Sequence, residues 1–373
     1  MPLFIAPAIA QPHEPEPPLP PELRAIRAIV IPRMAKVACT ATAIALAELT
    51  LAAPAQASGA CQPESGLSAC ISADNWWPSP TGSFAWLGPS RTVERGSASF
   101  ALATTYLHRP VGLSVSSATP DGTTVWAVED ALRASLGAAV GVTSRLQLEV
   151  ALPVAVFQRG AGTSHTEGSD VSLPTSAIGD VRFGPTVALA NEDFATSNLA
   201  VAARLLVTAP TGDPDAFVSA PSAVFAPSAT TSYRRGAFEA AIDVGARVRR
   251  HAELGGALIG NQLSLGVGAG FDVLRDAWLT LGAEAAWLFT LEQQLVEVAD
   301  PAALEPREAP ANVPHIPAEW LVTARTNHFF ERRMRLSVGV GGVLPTSLPT
   351  DVTAPAFRAL ATVAFTAALA DVR

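Results

Sequence analysis

The chain has 373 residues, of which 49% are apolar and only 16% charged, with 27 Gly, 31 Pro and a formal net charge of −8. An acidic balance without a Lys/Arg cluster excludes a phosphate-tracking nucleic-acid surface. Mean hydropathy is +0.29, yet nothing after residue 55 is an uncharged apolar run of the 18 or more residues that a transmembrane helix requires.

Residues 1–33 are rich in Pro and Glu and read as a disordered leader or an upstream start-codon artefact. Met34-Ala35-Lys36 then opens a basic region, followed by an Ala/Leu-rich stretch from Val37 to Ala53 and the triplet Ala55-Gln56-Ala57. That order is a Sec-type signal peptide, with cleavage expected before Ser58. Lys36 is the one lysine of the chain. Cys39 leaves with the signal, so Cys61 and Cys70 form an even pair that an oxidising periplasm is expected to close as a disulfide. A lipidated Cys61 is the alternative, although Ser58 stands where a Leu is wanted three residues earlier.

Residues 58–97 carry Asp74-Asn75-Trp76-Trp77-Pro78 and Phe84-Ala85-Trp86 without a sustained period. They read as an irregular lead-in, either hanging in the periplasm or folding into the barrel as a plug. From Ala98 the period is two. Leu146, Leu148, Val150, Leu152, Val154 and Val156 alternate with Arg145, Gln147, Glu149 and Ala151. Phe238, Ala240, Ile242, Val244, Ala246 and Val248 alternate with Glu239, Asp243, Arg247 and Arg249. Successive strand side chains point to opposite faces, so this pattern sends aliphatics toward lipid and charges toward a lumen.

Twelve such segments are expected, near 98–108, 123–140, 145–158, 178–190, 197–209, 222–233, 236–250, 261–274, 276–291, 317–329, 334–345 and 355–370. The sixth carries Pro221 and Pro227. Short connections (Gly141–Ser144, Asn191–Thr196, Arg234–Arg235, Arg275, Phe330–Arg333) alternate with longer ones (109–122, 159–177, 210–221, 251–260, 292–316, 346–354). Periplasmic turns of outer-membrane barrels are short, their outer loops long, their strand number even and both termini periplasmic. The expected fold is therefore all-β: an antiparallel up-and-down transmembrane barrel of about twelve strands, between ten and fourteen, over residues 98–373. Pro153 and Pro185 remove ladder donors and should mark bulges or strand ends. The chain ends Ala370-Asp371-Val372-Arg373, without the terminal aromatic common in such barrels.

Tyr106-Leu107-His108-Arg109-Pro110, Gly141-Val142-Thr143-Ser144-Arg145-Leu146, Ala151-Leu152-Pro153-Val154, Gly179-Asp180-Val181-Arg182-Phe183-Gly184 and Thr208-Ala209-Pro210-Thr211-Gly212-Asp213 carry a family resemblance. The chain resembles the barrel portion of myxobacterial OmpA-like outer-membrane proteins. It is also similar to transporter-like barrels that include the phenol-degradation-pathway channels. The resemblance implies an outer-membrane barrel over residues 74–370, of a Gram-negative bacterium, without the peptidoglycan-binding domain that follows the barrel in many relatives.

The inward face is expected to collect Glu129, Glu149, Asp180, Glu239, Asp243, Asp272, Glu284 and Glu319, with Arg133, Arg145, Arg182, Arg204, Arg247, Arg249, Arg325, Arg335 and Arg358. Lumen charges must be hydrated or paired, so two readings stand: a polar passive pore or transporter for small solutes, and a structural barrel closed by its own ion pairs. Neither sign dominates, so no ion selectivity is implied.

His108, His165, His251 and His315 lie in or beside expected outer loops and read as solvated. An outer-membrane hydrolase is a remote alternative, because no His-x-Ser-Asn cluster or rim Asp/His pairing occurs and the nearest candidate, His251 with Asn261, has no serine. No catalytic residue, cofactor or metal site is expected. The acidic loop 292–316 has no oxygen-ligand spacing of the EF-hand kind. Trp126, Trp278, Trp287, Trp320 and Tyr106 fall toward strand ends, as interface aromatics do. Gly266, Gly268 and Gly270 alternate in a strand and read as crowded lumen positions, not as a nucleotide loop. Expected partners are outer-membrane lipid and lipopolysaccharide, the barrel-insertion machinery and a small solute.

Overall fold

The computed structural model describes Cys61 and residues 68–115, 123–164, 172–190, 198–254, 257–274, 278–292, 294–298, 307–311, 315–329, 333–344 and 353–369. The expected leader, the expected signal peptide with its expected cleavage before Ser58, His165 and residues 370–373 lie outside the described residues. In chain order the strands are β1 (Ser97–Val115), β2 (Thr123–Gly141), β3 (Leu146–Arg159), β4 (Ala177–Ile178), β5 (Arg182–Ala190), β6 (Leu199–Thr208), β7 (Val224–Arg235), β8 (Phe238–Arg247), β9 (Ala252–Leu254) and β10 (Ala257–Ile259). The remainder are β11 (Gln262–Asp272), β12 (Thr280–Thr290), β13 (Gln294–Val298), β14 (Arg307–Ala311), β15 (Ala318–Phe329), β16 (Met334–Val343) and β17 (Phe357–Ala368).

Twelve long strands close into one ring. Each pairs antiparallel with its neighbour in the order β1-β2-β3-β5-β6-β7-β8-β11-β12-β15-β16-β17, and Ser97↔Ala368 through His108↔Phe357 join β17 back to β1. A closed ring leaves no strand edge, so every wall residue can satisfy its backbone groups within the sheet. The all-β barrel with twelve strands read from the period-two pattern is the one observed.

The wall is turned apolar-outward. On β8, Ile242 and Val244 are 52% and 54% exposed while Glu239 is 3% exposed. Leu148, Leu189, Leu263, Phe271 and Val338 repeat the outward placement on other strands. Trp278, Trp320 and Tyr106 also lie exposed on the wall. A soluble protein buries this surface, whereas a barrel in lipid does the reverse. Ile242→Arg, at the middle of β8, is therefore expected to cost about 2–4 kcal/mol, and Ile242→Leu close to nothing. Urea unfolding from lipid vesicles reads the difference, and equal midpoints for the two variants would contradict the lipid-facing assignment.

Several boundaries differ from the sequence reading for local reasons. The connection expected from residue 109 is strand as far as Val115: a bulge at Arg109 (φ 52°) and Pro110 lets β1 and β2 continue as a long hairpin. The β7–β8 turn is Gly236-Ala237 instead of Arg234–Arg235, and Gly236 takes the positive φ (60°) that a two-residue hairpin needs. The fourth segment breaks between β4 and β5, leaving Asp180 between them. Within the expected loops 251–260 and 292–316, β9 pairs β10 and β13 pairs β14. Pro153 sits where the partner of β3 changes from β5 to β4, and Pro185 falls in a gap of the β5–β6 ladder.

The filled lumen as candidate functional site

The barrel has a turn end, where β2 meets β3 and β7 meets β8, and a loop end carrying β9–β10 and β13–β14. Residues 68–96 run through the lumen between them. At the loop end Ser68 N donates to Glu253 O (2.8 Å), Ala73 N donates to Phe217 O (3.0 Å), and Ser72 bridges Val218. The Cys61–Cys70 bond lies here, with a Cα–Cα distance of 5.3 Å, above a core in which Ile71, Leu107, Val111, Phe217 and Leu254 are almost fully buried. Near the turn end Ser99 Oγ donates to Pro80 O (3.1 Å), Val93 N donates to Gln147 Oε1 (2.9 Å) and Arg95 bridges Gly141. The first strand starts at the turn end, but the chain before it has crossed the lumen, so Cys61 and Ser68 stand at the loop end.

Between these anchors the inward charges hold the segment's polar groups. Glu284 accepts from Ala85 N (2.9 Å) and Trp86 N (2.7 Å), and Asp243 accepts from Gly88 N (3.3 Å) and Thr230 Oγ1 (2.5 Å). Arg335 donates to Pro80 O, and Arg325 donates to Ser83 O. Arg247 donates to Asn75 O (2.8 Å) and stacks on Trp77 at 4.2 Å, with Arg182 on the same ring at 5.3 Å. Arg204 pairs with Glu149, and Arg325 with Glu239 (2.5 Å). A backbone segment inside a barrel needs such partners, because each orphaned buried group costs on the order of 1–3 kcal/mol.

The deepest node is Arg358, with no exposed surface. Its guanidinium grips Glu319 through Nε (3.0 Å) and Nη2 (3.3 Å), reaches Asp74 of the lead-in through Nη1 (2.9 Å), and lies over the Trp86 and Trp76 rings. The glycines of β11 acquire a reason. A Cβ on Gly268 would lie 2.9 Å from Phe84, and one on Gly266 would touch Leu87. The space they leave along the wall is taken by lead-in side chains.

Six further expected lumen charges lie toward the two ends of the barrel. Arg145 is exposed in the β2–β3 turn, since β3 starts only at Leu146. Glu129 is 40% exposed and lies 3.8 Å from Arg159, itself exposed. Asp180 accepts Gly212 N, Ser219 Oγ and Ala220 N at 2.7–2.8 Å, folding the 209–223 connection into the mouth. Arg249 binds Gly260 O and Gln262 at the loop end, Asp272 binds Arg234 and Thr280 at the turn end, and Arg133 donates to Phe217 O (2.9 Å).

Three features escaped the sequence. Asp74 is a partner of Arg358, though it sits in a segment without period. Asp130 accepts from Tyr106 and Arg159 and lies 2.8 Å from His108 Nδ1, at a strand position whose parity faces out with Leu132. An acid at a lipid-parity position was the available signal. His315 is 4% exposed, not solvated. Burial pushes its imidazole down to about 4, and the Arg249 guanidinium adds to the shift. A value below the ordinary ~6.5 means that the unfolded segment takes up the proton first. The stability is full above about pH 6.5 and is lost as pH falls toward 4, by about 3 kcal/mol at most. Proteolytic nicking within 291–317 should therefore accelerate at pH 4.5 in the parent and less in His315→Gln; equal rates in both would sink the assignment.

No family model matches the chain, and no curated protein matches it. Solved structures do. The COG4313 outer membrane channel from Pseudomonas putida F1 superposes with a TM-score of 0.52 at 15% identity, covering 75% of this chain and 98% of that one. The two share a fold. The NanC porin matches at a TM-score of 0.40 and 7% identity over 72% of this chain and 98% of its own. The toluene transporter TbuX of Ralstonia pickettii matches at 0.36 and 9% over 74% and 90%.

Proposed function

We propose that the chain is a passive outer-membrane channel or transporter for small solutes whose lumen is occupied by its own residues 68–96. The observation that carries this reading is the filling itself. A barrel built only for structure can close with side chains from its wall, as small barrels do. This one closes with a chain segment held by reversible hydrogen bonds. The turn end is the periplasmic end, the loop end faces outward, and residues 1–57 are the leader and Sec-type signal of an exported chain. Lipid and lipopolysaccharide surround the wall, and the insertion machinery places it. The fold shared with a protein described as an outer membrane channel supports the reading. No catalytic role is assigned: His108 and Asp130 do form an Asp/His pair, but the carboxylate is already committed to Tyr106 and Arg159.

A structural barrel locked by its ion pairs is the second reading, favoured by the Arg358–Glu319–Asp74 node. Planar-bilayer recording of the purified chain separates the two. Brief openings from a closed baseline, more frequent in mild urea, are the result expected of a displaceable segment. A trace silent at every voltage and urea concentration that leaves the barrel folded favours the locked barrel.

A further inference from the structure

Beside the lead-in, between the wall and Trp76 and Trp77, lies a cavity of about 50 Å³, several times the roughly 10–15 Å³ that one water needs on the same measure. Arg133 and Arg182 line it, at 7% and 6% exposure. Arg133 commits one nitrogen to Phe217 O, and its Nε–H has no partner among the described residues. Arg182 rests on the Trp77 ring, without an ion pair to a carboxylate among the described residues. The Thr208 hydroxyl, also on the cavity wall, is likewise buried without a partner there.

The acids nearby are engaged elsewhere. Both Asp180 oxygens accept protein donors, and Asp74 Oδ1 is taken by Arg358 and Trp76 N. Asp74 and Asp180 line the cavity as well, but Arg133, Arg182 and Arg249 outnumber them, so the lining carries an excess of donors and positive charge. A buried guanidinium whose charge is only partly compensated is costly, and charge-assisted hydrogen bonds to an oxyanion are the strongest remedy available.

We propose that this chamber binds a small oxyanion of the phosphate or carboxylate kind, held by Arg133 and Arg182 with the Thr208 hydroxyl as a further donor. The proposal rests on the lumen being a solute path, since the anion must reach the chamber. Occupancy links the wall to the lead-in beside Trp77, so the anion also fastens the filled state.

Calorimetric titration of the folded barrel in detergent tests it, with inorganic phosphate and acetate as probes in a Tris–chloride buffer of fixed ionic strength. The expected result is saturable heat for at least one probe, with affinity weakened roughly tenfold or more in Arg133→Gln. Thr208→Val, which removes one hydroxyl and little volume, should weaken it by a smaller factor and serves where Arg133→Gln fails to fold. Heat that never saturates, or saturable binding unchanged in the folded variants, overturns the site and leaves water as its occupant. A barrel that conducts but shows no saturable heat overturns this inference alone. One that binds phosphate in this pattern but never conducts keeps the site and overturns the pore.

Discussion

Arg358→Met is expected to destabilise the barrel by about 3–5 kcal/mol, because it leaves Glu319 and Asp74 as buried carboxylates without their shared cation. Glu319 is 3% exposed, and Arg358 itself is fully covered by Trp76, Trp86 and Thr105. Adding Glu319→Gln to Arg358→Met should recover more than about 1 kcal/mol, since contacting residues are not additive. Asp74→Asn should instead loosen the lead-in alone, because its carboxylate belongs to that segment. The temperature at which the compact gel band converts to the unfolded one reads all three. An Arg358→Met barrel that converts with the parent would mean that the node contributes nothing.

Removing residues 68–90 is expected to turn a closed barrel into a steadily open one. The deletion strips Trp76, Trp77, Phe84, Leu87 and the backbone that Glu284, Asp243 and Arg335 hold, and keeps the turn-end contact of Val93 with Gln147. The freed wall charges become hydrated, which is tolerable because they are arranged as pairs such as Arg204–Glu149 and Arg325–Glu239. The barrel strands keep their ladders, so the variant should still fold and still shift on heating. Its bilayer trace should show a long-lived open level that the parent reaches only briefly. A folded deletion variant as closed as the parent would place the obstruction in the wall.

The wall was legible because one strong physical signal writes it: period-two alternation such as Glu239 to Val248, repeated around the ring and punctuated by short turns. Loop ends were less so. The β1 extension to Val115 depends on a bulge at Arg109-Pro110 that no local period records. The lumen was half legible. Alternation puts Glu319 and Arg358 on the inward parity, and both are buried, but it says nothing of what they face. Asp74, Trp76 and Phe84 lie in a stretch whose conformation is set by barrel partners up to hundreds of residues away in sequence, so no local period records it. Gly266 and Gly268 pointed to crowding without naming Phe84 and Leu87 as its cause. Arg145 and Glu129, which stand open to solvent, sit at a turn and beside a bulge, where parity stops being informative.

If the lead-in, and nothing in the wall, closes the lumen, a reversible tether should hold it shut. Ser90 Oγ and Ser232 Oγ lie 2.7 Å apart, one on the lead-in and the other on β7. Ser90→Cys with Ser232→Cys should therefore form a disulfide near 2.05 Å without moving the backbone far. Reduction would also open the Cys61–Cys70 bond, so the pair is built on a Cys61→Ser, Cys70→Ser background, which serves as its own control. Single-channel recording before and after reductant is the measurement. A silent oxidised barrel should gain openings on reduction, beside a control that opens in both conditions. An oxidised barrel that opens as often as the reduced one would contradict it.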